Sequence, residues 1–306
     1  MMTPSHPHPI LMIFVDGLGI GSADPADNPL AAFPDLFPTC ETAHLRSGLA
    51  WKALDAALGV EGLPQSATGQ TALLTGVNAA RLLGKHLQGF PSLRLIEILQ
   101  KKSIFVRLNQ CGLRGTFANA YRHPEDTGTA SRLSVTSHAL KASGQPFRSL
   151  DQLRREEALV HDFTNQILLE QGYSDVPYFS PEKAAGILIR IARNHHFTLY
   201  EHFLTDVLGH RGTTAQIQAH AALLHRFLNA AIDAAAAENI TAIITSDHGN
   251  FEDIHVKTHT RNPVLYIETN AGNLLHDDLP DAITGVTPRI LRLLSCAPTD
   301  EAETEQ

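Results

Sequence analysis

Cysteine is scarce in this chain: Cys40, Cys111 and Cys296 are scattered through 306 residues. An odd, widely spaced set excludes a disulfide-framed secreted scaffold and offers no zinc-ligand spacing. The three read as buried or incidental thiols of a reducing compartment. Basic residues are also short, with 24 Lys and Arg against 32 Asp and Glu, a net charge of −8 and a pI near 6.1. That balance leaves no electrostatic footprint for nucleic acid. No apolar run approaches the roughly eighteen residues of a membrane span. The opening MMTPSHPHP lacks a basic region, and the apolar run after it is too short for a signal peptide. The expected location is cytoplasmic. What the chain does have is 43% hydrophobic residues, enough for one large domain over residues 1–306.

Those hydrophobic residues are bunched. ILMIFV, residues 10 to 15, runs straight into Asp16-Gly17. The mostly apolar stretch from Phe197 to Leu204 leads into T-D-V-L-G-H, which carries Asp206 and His210. Ile240 to Ile244 is followed by T-S-D-H-G-N-F-E, with Asp247 and His248 adjacent. K-T-H-T-R-N-P places His259 just before the run from Val264 to Ile267. Short continuous apolar runs bounded by turn residues read as strands buried on both faces, hence an α/β fold with a mostly parallel sheet. Such sheets keep their sites at the carboxyl ends of the strands. Each Asp or His alone has a bland reading as a strand-end cap, but their joint occurrence points to metal. Hard carboxylate oxygen with borderline imidazole nitrogen suits Zn or Mn better than Ca.

The order of these motifs resembles the alkaline phosphatase superfamily: D-G after the first strand, then D-x-x-G-H, S-D-H-G-N-x-E and T-H-T-x-N-P-V. Within it, the chain is most similar to cofactor-independent phosphoglycerate mutase and phosphopentomutase. The likeness covers the N-terminal quarter and the C-terminal third. It implies a three-layer αβα sandwich and a nucleophilic Ser or Thr in a glycine-containing turn between the first two motifs. G-L-P-Q-S-A-T-G-Q-T, residues 62 to 71, supplies Ser66, with Thr68 as the lesser alternative. Gln70 stands where the family usually has His. By this resemblance Asp16, Ser66, Asp247 and His248 hold one divalent ion, and Asp206, His210 and His259 hold a second. A serine hydroxyl is a weak nucleophile near neutral pH, and metal coordination favours its alkoxide. The implied chemistry is in-line attack by Ser66 on a small phosphorylated metabolite, a phosphoserine, then transfer to water or another hydroxyl.

The stretch between Ser66 and Asp206 is short for the family's inserted second domain, and roughly residues 119–180 are left for a small lid. A mutase must exclude water while its intermediate reorients, so phosphatase or phosphodiesterase ranks ahead of phosphomutase. A non-catalytic metal-binding relative ranks behind both, because the ligand set is complete. No sulfatase-type C/S-x-P-x-R surrounds Ser66. Arg81, Lys85, His86, Arg122 and Arg261 are candidates for phosphate contacts, Arg being suited to bidentate recognition. Each also reads as a surface charge. Asn119, Tyr121, His161 and Asp162 are candidate pocket residues, while Asn250 and Glu252 are placed to orient metal ligands. Elsewhere the pattern predicts helices over 51–58, 71–77, 92–99, 103–110, 151–159, 163–171, 181–194, 214–238 and 287–294. A polar excursion is expected over 121–150 and a disordered acidic tail over 299–306. His220 and His225 are expected to face solvent.

Overall fold

In a computed structural model, described over residues 8–123, 133–269 and 278–296, the apolar runs become strands of one sheet. The strands are β1 (Ile10–Val15), β2 (Leu49–Leu54), β3 (Gly115–Phe117), β4 (Ala120–Tyr121), β5 (Arg148–Ser149), β6 (Phe197–His202), β7 (Thr241–Thr245) and β8 (Val264–Thr269). The α-helices begin with α1 (Ser66–Thr75), α2 (Ala79–Leu83), α3 (Leu93–Lys102), α4 (Ile104–Gln110) and α5 (Val135–Ala142). They continue with α6 (Leu150–Arg154), α7 (Gln166–Glu170), α8 (Pro181–Ala192), α9 (Leu204–Arg211), α10 (Thr214–Ala237) and α11 (Val286–Leu293). The main sheet has the order β2-β8-β7-β1-β6-β3, and β4 pairs with β5 beside it. β7, β1, β6 and β3 are parallel, while β8 runs antiparallel to both β7 and β2.

Helices cover both faces, so β1 and β6 are buried along their whole length. Leu11, Ile13 and Val15 of β1 join a core under α8 and α10. Ile10, Met12 and Phe14 point the other way, into a core shared with α1, α3, α4, α5 and α11. Each such side chain contributes about 1.5–3 kcal/mol by leaving water. The result is a three-layer αβα sandwich. The reversed β8 matters for the site: its first residue, not its last, lies at the carboxyl edge of the parallel strands, so a residue just before it reaches that edge.

Several expectations need correction. Residues 51–58 are not a helix, because Trp51 to Leu54 pair with Ile267 to Val264 as β2. LAWKAL is rich in helix formers, but the open edge of β8 overrides that weak local preference. The polar excursion over 121–150 contains α5, whose Val135, Ala139 and Leu140 are core residues; residues 124–132 lie outside the described residues, as does the 299–306 tail. α1 starts at Ser66, earlier than the predicted 71, and α6 and α7 are single turns. His220 is buried, with Nε2 2.9 Å from His202 Nε2, and His225 meets Asp35 at 3.0 Å. Cys111 and Cys296 are joined as a disulfide, with Cα atoms 5.8 Å apart. The ends of α4 and α11 meet on one face, which a separation of 185 residues conceals. Cys40 remains an exposed free thiol. Among the described residues no helix is long and apolar enough to cross a membrane.

Candidate metal centre

The carboxyl edge of the sheet gathers Asp and His side chains from four segments and Ser66 from a fifth. Asp16 follows β1, and its N–H donates to His202 O of β6 at 2.8 Å. Asp247 and His248 follow β7. Asp206 and His210 sit four residues apart on α9, on one side of the helix. His259 precedes β8, and Ser66 opens α1. The ligating atoms of Asp16, Asp247 and His248 lie within 4.8 Å of one another, and those of Asp206, His248 and His259 do so as well. His248 therefore belongs to both groups. His210 Nε2 reaches Asp206 Oδ1 at 3.4 Å, and Ser66 Oγ lies 3.0 Å from His248 Nε2.

Without a cation this arrangement is electrostatically strained. Both oxygens of Asp247 and Oδ1 of Asp16 are buried without a hydrogen-bond partner. Leaving a buried charged acceptor unpaired costs several kcal/mol. Burial, reinforced by Asp206, pushes Asp247 up to about 7. Burial and the neighbouring Asp247 and Asp206 raise Asp16 well above the ordinary carboxylate range. Burial also opposes charge on Asp206, but the hydrogen bond from His259 and the surrounding imidazoles hold it below its usual value. Burial, with His259 beside it, lowers His248 to about 3, so its imidazole is neutral. Orphaned carboxylate oxygens facing neutral imidazole nitrogens are the donor set that a divalent cation satisfies.

Neighbouring groups aim these donors. His259 Nδ1 donates to Pro64 O at 2.7 Å, and His210 Nδ1 donates to Lys257 O at 2.8 Å. With Nδ1 so engaged, each Nε2 is left to face Asp206 Oδ1, at 3.5 Å from His259 and 3.4 Å from His210, the orientation that metal-binding histidines require. Asn250 Nδ2 donates to Asp206 Oδ1 at 3.0 Å. Glu252 accepts from the N–H groups of Gly19 and Asn250 and from Thr260 Oγ1, tying the β1, β7 and β8 loops together. Gln70 Nε2 donates to Asp16 Oδ2 at 3.0 Å. The amide is thus a neutral donor at the position where the resemblance implies a histidine. Gly209 explains the glycine of D-x-x-G-H: a Cβ there would lie 1.8 Å from Asn250 Oδ1.

The cluster opens into a cavity of about 780 Å³ that Asp16, Ser66, Gln70 and Asp206 line on one side. Asn119, Tyr121, Arg122, His161 and Asp162 line the other, together with Ser134, Ser137 and Glu201. Of the candidate phosphate contacts only Arg122 is in this lining. Arg81, Lys85 and Arg261 are exposed elsewhere, and His86 leans on Val60 O at 3.3 Å. Thr68 is fully buried, its hydroxyl engaged by Gln65 O and Leu87 N–H, and it does not line the cavity. Sequence reasoning missed Glu201 and the hydroxyls of Ser134 and Ser137. Glu201 did carry a signal, a lone carboxylate inside an otherwise buried strand.

Comparison with known proteins fits this geometry. Residues 180–275 match the family described as Metalloenzyme superfamily. Alkaline phosphatase from the Antarctic bacterium TAB5 aligns over 96% of this chain and 100% of its own, with a TM-score of 0.55 and 11% identity. The fold is that of the alkaline phosphatase-like metalloenzymes. Phosphoglycerate mutase of Leishmania mexicana shares this metalloenzyme fold at a TM-score of 0.52 and 12% identity, over 98% of each chain. In sequence, 130 residues are 29% identical to the 2,3-bisphosphoglycerate-independent phosphoglycerate mutase of Mycoplasmopsis pulmonis. That segment is 40% of this chain and 25% of that mutase, so the likeness spans only a quarter of the relative. Its counterpart in Mycoplasmopsis synoviae is 26% identical over 137 residues.

Proposed function

We propose that this chain is a metal-dependent phosphoryl-transfer enzyme that hydrolyses phosphate esters of small metabolites through a phosphoserine on Ser66. The observation that carries the reading is the buried, partnerless Asp247 carboxylate, set among Asp16, His248, Asp206 and His259, of which Asp16 and Asp206 line the cavity. Asp16, Ser66, Asp247 and His248 would hold one divalent ion, Mn or Zn, and Asp206, His210 and His259 the other. When bound, two such ions polarise a phosphoryl oxygen and favour the alkoxide of Ser66.

The protein's own groups do the rest. Ser66 opens α1, where the helix N-terminus favours negative charge on an approaching phosphate. Its hydroxyl is aimed at the cluster by the contact with His248. Asn250, Gln70 and Glu252 keep Asp206, Asp16 and the ligand loops from swinging as charge develops. Described residues of the 119–180 excursion line the cavity, which supports reading it as a small lid, and Arg122 among them is a candidate phosphate contact. Phosphomutase chemistry is the second reading, favoured by the sequence likeness to the Mycoplasmopsis mutases.

The test is a metal analysis joined to a panel of phosphate mono- and diesters in Mn- or Zn-supplemented buffer. Two ions per chain and release of inorganic phosphate are expected. Ion stoichiometry near zero in folded protein would refute the reading, and an isomerised ester without free phosphate would replace the hydrolase by the mutase.

A further inference from the structure

Glu201 is a buried carboxylate of the cavity wall that has no place in the metal cluster. It is 7% exposed and registers against Phe14 in the centre of the sheet. Asn119 fixes the backbone there. Its side-chain amide donates to Glu201 O at 2.7 Å and accepts from Glu201 N–H at 2.9 Å, extending the β3–β6 ladder by one rung. The carboxylate itself accepts one side-chain hydrogen bond, from Thr136 Oγ1 to Oε2 at 2.7 Å. Among the described residues no hydrogen bond reaches Oε1, and Glu201 lines the cavity. Burial pushes the group up to about 7. A buried carboxylate with a single bond destabilises the fold relative to an amide or an apolar residue of similar size. Such a group open to a cavity is placed for a ligand.

Its surroundings define that ligand. Among the described lining residues Arg122 is the sole Lys or Arg, and it is tied to Gln171 Oε1 at 2.9 Å. Asp162 adds negative charge to the same wall, its oxygens already accepting from the N–H groups of Asn165 and Ile167. Burial lowers His161, which leaves it neutral near pH 7. Tyr121 and Ser137 face the same space, their hydroxyl oxygens 2.6 Å apart. Over its described residues the wall thus offers hydroxyls and a carboxylate oxygen, with Arg122 as its one Lys or Arg to receive a second anion.

We propose that Glu201 is a specificity-determining residue: its open oxygen accepts a hydrogen bond from an alcohol hydroxyl on the leaving portion of the phosphate ester, and the wall disfavours esters with a second anionic group. This rests on the phosphoryl-transfer reading for what the metal end binds. The test is calorimetric binding at pH 8, above the Glu201 value, to Mn-loaded protein in the Ser66→Ala background, which suppresses turnover, using three-carbon probes. Glycerol 3-phosphate has free hydroxyls, 3-phosphoglycerate replaces one end by a carboxylate, and n-propyl phosphate has neither. Glycerol 3-phosphate should bind at least about tenfold more tightly than each of the others, the worth of one hydrogen bond to a charged acceptor. Glu201→Gln, which removes the charge but keeps an acceptor, should narrow the discrimination against 3-phosphoglycerate. Glu201→Leu should also narrow that against propyl phosphate.

Equal or tighter binding of 3-phosphoglycerate by the otherwise unaltered cavity overturns the proposal, as does failure of all three probes to bind. The binding pattern without phosphate release by the Ser66 protein supports it and sinks hydrolysis alone. Phosphate release without the pattern sinks the role of Glu201 alone.

Discussion

At the candidate metal centre, Asp16, Asp247 and His248 follow strands packed in the middle of the sheet, β1 and β7. The described residues of the other wall, between Asn119 and Gln171, form instead two-residue strands, single-turn helices and α5. The first region is held by hydrophobic burial and ladder hydrogen bonds. The second also buries apolar side chains, Leu150, Leu159 and Phe163 among them, but in place of long ladders it relies on side chains that bond to backbone: Arg148 reaches Phe117 O and Glu157 O, and Asp162 receives the N–H groups of Asn165 and Ile167. A rigid edge suits chemistry that needs fixed donor positions, while a wall of short pieces can be re-shaped for a different leaving group without disturbing the sheet.

The sharpest way to break this division is to remove groups from each side in turn. Ser66→Ala should lower ester hydrolysis by roughly a thousandfold or more, because no covalent acceptor remains. Its ion content should persist. Thr68→Ala should stay within about tenfold of the parent protein, with at most ~1–2 kcal/mol lost from its backbone hydrogen bonds. If Thr68→Ala were the inactive one, the assignment of the nucleophile would be wrong.

Stripping the ions probes the same edge through pH. Asp247 has a folded pKa of about 7 against an ordinary value of 3.8, so its stability contribution is full below about pH 4. It is lost as pH rises through 7. The loss is on the order of 4 kcal/mol, since each pKa unit is worth about 1.4 kcal/mol. Asp16 shifts in the same direction. The melting temperature of EDTA-treated protein should therefore fall between about pH 4 and 7, and Mn should restore it. In Asp247→Asn the fall should shrink, and ion binding and turnover should disappear together. A flat profile in the stripped protein would mean that the carboxylates are not crowded in solution.

Reducing the Cys111–Cys296 bridge should cost about 2–4 kcal/mol in urea unfolding, given the long loop it closes. Turnover of the folded protein should be unchanged, because neither cysteine lines the cavity. The smallest effect belongs to the wall: Tyr121→Phe removes only the hydroxyl bonded to Ser137 and should alter kcat/KM by about two- to fivefold. A wall variant as damaging as Asp247→Asn would erase the distinction between the two regions.

The same contrast governs what could be read from the residues alone. Asp16, Asp247 and His248 stand directly after runs whose burial is written in their composition, and His259 stands directly before one. The sheet then carries them to a common edge. Glu201 was legible only as an oddity within F-T-L-Y-E-H, because its meaning depends on Thr136 and Asn119 from other segments. LAWKAL was misread because its partner, β8, lies more than two hundred residues away and supplies the preference that the local sequence lacks. The disulfide and the His202–His220 contact are likewise products of packing between distant elements. Gln70 was visible as a departure, but its bond to Asp16 required the geometry.

The interlock between Gly209 and Asn250 reaches beyond a single molecule. The space that a side chain at 209 would need is the space through which the Asn250 amide reaches Asp206. Two motifs separated by some forty residues therefore share one volume and cannot drift independently. A lineage that gains a methyl at 209 must first, or in the same step, shorten or redirect the residue at 250, and Asp206 then loses its tether. Substitutions at the two positions should be strongly epistatic: Gly209→Ala severe on its own, yet milder in an Asn250→Ala background.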